Sequence, residues 1–61
     1  MPIWVIFKNN FKIGQSKTWH GAVAVLVKQE RMNDFHVHMY PQFVQVVNHR
    51  DDGVYKIIKE A

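Results

Sequence analysis

Apolar and polar positions change over in short blocks along this chain, and most blocks suit strands better than helices. Ile3-Trp-Val-Ile-Phe7 is an uninterrupted apolar run of β-branched and aromatic residues, closed by Lys8. Its length predicts a strand buried on both faces. Asn9-Asn10 comes next, and asparagine tolerates positive φ, so the pair predicts a tight hairpin turn. Phe11-Lys-Ile13 then returns as a second strand that Gly14 breaks. Phe35-His-Val-His-Met39 alternates with period two, which puts Phe35, Val37 and Met39 on one face and His36 and His38 on the other. Tyr40-Pro41 ends that strand, because proline cannot donate to a ladder. Phe43 to Val47 predicts another strand.

Two segments carry competing patterns. Gln15 to Gly21 is polar and turn-like apart from Trp19, and leads into Ala22-Val-Ala-Val-Leu-Val27. The valine content and Gly21 favour a strand here. A helix would instead gather Trp19, Ala22, Val23, Leu26 and Val27 on one stripe, with Lys17, His20, Lys28 and Arg31 opposite. Lys28 to Asp34 has the composition of a loop. At the tail, Val54, Ile57, Ile58 and Ala61 fall at helical spacing behind an Asp51 or Asp52 N-cap, which predicts a C-terminal helix. The competing reading is a further strand after a hairpin turn at Asp52-Gly53.

The resulting expectation is a mainly β fold of five short strands plus a C-terminal helix, in a single small domain spanning 1–61. A chain of 61 residues builds only a marginal core of its own, and the absence of cysteine removes any disulfide or thiolate–metal staple. Self-association into a homodimer is therefore expected. No apolar run reaches the roughly 18 residues needed to span a bilayer, so a soluble, cytoplasmic protein with no membrane partner is expected. Eight Lys and Arg stand against five Asp and Glu, a net charge of +3 that permits a polyanionic partner without requiring one.

The chain carries, in order, Met1-Pro-Ile-Trp-Val-Ile, Phe11-Lys-Ile-Gly14, Val23-Ala-Val-Leu-Val-Lys28, the alternating strand into Tyr40-Pro41, and above all Val44-Gln-Val-Val-Asn-His-Arg-Asp-Asp-Gly-Val-Tyr55. Read together, these segments resemble the carbon storage regulator (CsrA/RsmA) family of small RNA-binding homodimers. The last is similar to the family's Val-x-Val-His-Arg-Glu-Glu-Ile-Tyr segment. The resemblance implies a strand-exchanged homodimeric β-sandwich or barrel with C-terminal helices at its flanks. It also implies binding of GGA-containing single-stranded hairpin loops in messenger leaders, which blocks translation. The implied RNA-binding residues are Trp4 and Lys8 on the first strand with Val46, His49 and Arg50 opposite. Where the family carries a basic pair on its first strand, this chain has Val5, Ile6 and Phe7. That departure favours an alternative, a small protein-binding module or antagonist whose partner is a regulatory protein.

The chemistry of those residues fits RNA. The Arg50 guanidinium can pair bidentately with guanine or phosphate, His49 can stack or donate, and Trp4 can offer a stacking surface. Their ordinary alternatives are a solvated turn for His49-Arg50-Asp51-Asp52 and core packing for Trp4. His36 and His38 share a strand face, but without cysteine or a nearby carboxylate they are weak metal ligands, and neither a metal nor a cofactor is expected. No nucleophile–base pair or phosphate-cradling loop occurs, so an enzyme is not expected. Met1-Pro2 alone resembles the tautomerases, whose amino-terminal proline acts as a base, but the arginine partners of that family have no match here.

Overall fold

The structure, a computed structural model, describes residues 3–60. Met1, Pro2 and Ala61 lie outside them, and so do the tautomerase-type proline and the last position of the expected tail stripe. The elements are β1 (Ile3–Lys8), β2 (Phe11–Ser16), α1 (Trp19–Glu30), β3 (Phe35–Met39), β4 (Val44–Asn48) and β5 (Gly53–Glu60). The five strands form one antiparallel sheet in the order β2-β1-β5-β4-β3. The chain is thus mainly β with five strands and one helix, as expected, but the helix is a different segment.

β1 and β2 join through Asn9 and Asn10, both at positive φ (51° and 70°), the geometry whose twist suits a two-residue hairpin. β2 does not stop at Gly14. A bulge opposite Ile6 and Phe7 carries the strand on to Ser16, and Gly14 faces the Ile6 side chain and the helix residues Val25 and Gln29.

The segment expected to be a strand at Ala22–Val27 is the interior of α1. Three local features outweigh its valines. Thr18 caps the N-terminus, its Oγ1 accepting from the Gly21 N–H at 2.9 Å. Arg31 takes the left-handed conformation at the C-terminus, and the Met32 N–H donates to the Val27 carbonyl at 3.0 Å, a Schellman closure with Met32 buried behind it. Between these caps, Ala22 and Leu26 are fully buried, with Trp19, Val23 and Val27 packed beside them. Gly21 sits in the first turn, where a Cβ would run into the Ser16 side chain, so it marks a close approach rather than a broken helix.

The C-terminal helix is also corrected, since residues 53–60 form β5. Tyr55 and Ile57 are buried toward α1, while Val54, Lys56 and Ile58 alternate to the other face. A central strand with apolar residues on both faces produces the closely spaced Val54, Ile57 and Ile58 that imitate a helical stripe. The Asp51 carboxylate does not cap a helix; it accepts from the Gly53 N–H at 2.9 Å and Asp52 has φ 57°, so both build the β4–β5 turn.

α1 rests on β2, β1 and β5, and the core of Ile6, Ala22, Leu26, Met32, Val44, Val46, Tyr55 and Ile57 lies between helix and sheet. Among the described residues no helix is long and apolar enough to cross a membrane.

Candidate nucleic-acid interface

Helix α1 lies over β2, β1 and β5 on one face of the sheet, and among the described residues no element lies over the other face. Register defines what that open face carries. Lys12 pairs with Phe7, Phe7 with Lys56, Lys56 with Gln45, and Gln45 with His38, so one row of side chains crosses all five strands. At ~4.8 Å between neighbouring strands the row is about 19 Å long. Beside it runs Gln15–Val5–Ile58, and on the other side Val54–Val47–His36. Val5 is buried at 2% relative exposure yet stands apart from the helix-side cluster, enclosed by its neighbours on the open face. Phe7, Val54, Lys56 and Ile58, with the Asn9-Asn10 turn, line a shallow depression of about 420 Å³ there.

Along edge strand β3 the same face bears a file of rings. His49 meets His36 edge-on at 5.8 Å between centroids, His36 lies 4.6 Å from His38, His38 6.4 Å from Tyr40, and Tyr40 stacks on Phe43 at 4.9 Å. Residues 36, 38 and 40 are two apart, so extended backbone brings all three rings to one side. The Lys56 ammonium sits 5.3 Å above the Phe43 ring, tying file and row together. Although three histidines share the file, no group of three His, Cys, Asp or Glu among the described residues is arranged to hold a metal ion.

Charge is divided between regions. Asp34, Asp51 and Asp52 lie in the loops at the end where β1 finishes and β5 begins, and Glu30 lies at the helix C-terminus beside them. Among the described residues, strand alternation leaves Glu60 as the one carboxylate side chain on the open face, at its corner opposite Ile3. The face therefore presents lysines, amides, imidazoles and rings around an apolar centre of Val5, Phe7 and Ile58.

The five residues implicated by the sequence resemblance do not converge on this face. Trp4 is half-buried on the helix side, packed against the core. Lys8 also points to the helix side, with its Nζ 3.8 Å from Glu30 Oε1 and 5.4 Å from the Tyr55 ring centroid. Glu30 Oε1 in turn accepts from the Tyr55 hydroxyl at 2.7 Å, and burial followed by that carboxylate pushes the Tyr55 pKa up to about 12. Val46 is fully buried beneath the helix side, and its strand pairs on both edges. His49 and Arg50 are exposed in the β4–β5 turn, held by the His49 N–H donating to the Asp34 carbonyl and the Arg50 N–H donating to Asn48 Oδ1. Of the five, only His49 joins the file of rings.

Phe7, Lys12, Tyr40, Phe43 and Lys56 were not singled out from the sequence. The signal for Lys56 was present in the strand reading of the tail, since a hairpin at Asp52-Gly53 sets residues 54, 56 and 58 on one face. Phe7 belongs to an apolar run that carries no facing information by itself, and only register with Lys56 places it.

No protein-family model matches this chain, and neither a curated protein nor a solved structure matches it.

Proposed function

We propose that this protein binds single-stranded RNA on the open face of its sheet. The observation that carries the reading is the continuous row Lys12–Phe7–Lys56–Gln45–His38 joined to the ring file of β3, with no carboxylate among these residues. Unpaired bases are recognised by stacking on aromatic and imidazole rings and by hydrogen bonds to their exposed edges. Lys12 and Lys56 flank Phe7, and Lys56 also lies over the Phe43 ring, so both offer the phosphates a counter-charge, and an exposed sheet gives several nucleotides room to lie flat. The reading rests on this face rather than on Trp4, Val46 or Arg50.

Use of that binding to repress translation, and a preference for GGA loops, are what the sequence resemblance adds. A gel-shift with a GGA-loop hairpin, its CCA variant, an unstructured oligouridine and the matching DNA separates these parts. Binding to the RNA strands that weakens as salt is added is expected. Absence of binding to all four strands removes the function, while equal binding to the GGA and CCA loops removes only the GGA preference.

A second reading is favoured by the apolar centre of the face, where Val5, Phe7 and Ile58 are flanked by Val54 at 42% and Ile3 at 37% exposure. Such a patch suits a protein partner, including a second copy in a homodimer. A sedimentation mass of two chains that Ile58→Lys reduces to one would support it.

A further inference from the structure

A second concavity opens on the helix side, at the end of the sheet where α1 begins. Its volume is about 480 Å³, and Trp4, Trp19, Met39, Tyr40, Phe43 and Lys59 supply most of its wall. It exists because α1 lies over β2, β1 and β5 and leaves the ends of β3 and β4 uncovered, with Met39 60% exposed there. Four of those six residues are aromatic, and Lys59 is the one charged residue in the lining. Two of the rings are already braced, Trp19 against His20 at 3.6 Å and Tyr40 against Phe43 at 4.9 Å.

This combination selects its occupant. Flat aromatic walls favour a flat ring, and a volume between about 300 and 1,000 Å³ suits a small organic ligand. Among the described residues of the lining Lys59 has no carboxylate for company, which favours an anionic group on that ligand over a neutral or cationic one. A ring joined to a phosphate meets both conditions. Tyr40 and Phe43 belong to the cleft and also end the ring file on the open face, so a strand running off that face at this end reaches the cleft at once.

We propose that the cleft takes one unstacked nucleotide of the bound strand, its base against the indoles and its phosphate at Lys59. The proposal rests on the reading of the open face as an RNA surface and adds a pocket for a single nucleotide at its end.

Trp4 and Trp19 are the two tryptophans of the chain, so indole emission reports the cleft directly. The whole protein is titrated with uridine monophosphate, with uridine and with inorganic phosphate. Saturable quenching by the monophosphate is expected. Uridine, which lacks the phosphate, and the Lys59→Gln variant titrated with the monophosphate should each bind about tenfold more weakly. Trp19→Phe should remove much of the amplitude, and inorganic phosphate alone should leave the emission unchanged. No saturable quench, or equal affinity for uridine and its monophosphate, overturns the proposal, as does a Lys59→Gln protein that binds normally. A labelled oligouridine tests the two surfaces separately. If it binds in anisotropy without moving the indole emission, the cleft is wrong and the open face stands. If the monophosphate binds but the oligomer binds no tighter, the open-face reading fails and the cleft survives.

Discussion

The two faces of this sheet are built from the same strands and differ in what completes them. Toward α1, Ile6, Val44, Val46, Tyr55 and Ile57 are buried at 2% exposure or less, and the buried polar groups on that side are satisfied, the Tyr55 hydroxyl by Glu30 and Asn48 Oδ1 by the Arg50 N–H. One residue along each strand, side chains of similar size, Phe7, Val54 and Ile58, stay partly open and share their face with Lys12, Lys56 and His38. The helix-side set is consumed in holding the fold. The other, apart from the buried Val5, remains uncovered, so side-chain parity separates the residues that hold the fold from those the proposed binding would use.

The strongest test of that division is in the helix. Leu26→Ala should cost about 2–5 kcal/mol in denaturant unfolding, because it leaves a cavity under α1. RNA binding should be lost only in proportion to unfolding; loss of binding with an unchanged midpoint would break the comparison. Alkali probes the same face. An unfolded tyrosine titrates near 10.0, whereas the Tyr55 pKa is raised to about 12, so the folded state holds the proton more tightly. The stability this contributes is whole below pH 10 and is lost as pH rises from 10 through about 12. In Tyr55→Phe that fall should disappear from pH-dependent melting curves.

Substitutions on the open face should behave the other way. His38→Ala and Tyr40→Ala are each expected to weaken RNA binding by about 1–3 kcal/mol in anisotropy titrations. Their unfolding midpoints should move by no more than about 0.5 kcal/mol. Lys56→Gln should weaken binding alike for every sequence and reduce the salt slope by about 0.7. Arg50→Ala should have the smallest effect, since Arg50 projects from the turn and not from the face. A loss there larger than that of Lys56→Gln would move the site to the β4–β5 turn.

The sequence conveyed the short-range geometry well. The apolar run of β1, the Asn9-Asn10 hairpin and the alternation of β3 are set by neighbours within a few residues, and each was legible. The helix was less so, because its valines favour a strand locally and its decisive features are tertiary or capping ones: burial of Leu26, the Thr18 cap and a left-handed Arg31 where glycine is the usual residue. β5 was obscured for the opposite reason. A strand with apolar residues on both faces loses its period-two signature, so Val54, Ile57 and Ile58 read as a helical stripe. Of the candidate surface, the sequence revealed His36 and His38 as one strand face and His49 as a candidate RNA contact. Its other members lie on strands distant in sequence, and their alignment depends on the β1–β5 register.

That register has a kinetic meaning as well. Hairpin β1–β2 and meander β3–β5 each form from local turns, but the ladder from Ile3↔Glu60 to Lys8↔Tyr55 joins the first described strand to the last. Closing so long a loop is entropically slow, and until it closes β1 and β5 each expose an unpaired edge. The half-formed protein thus carries two apolar strand edges that can pair with another molecule, and the folding rate, more than the final stability, determines how long that hazard lasts.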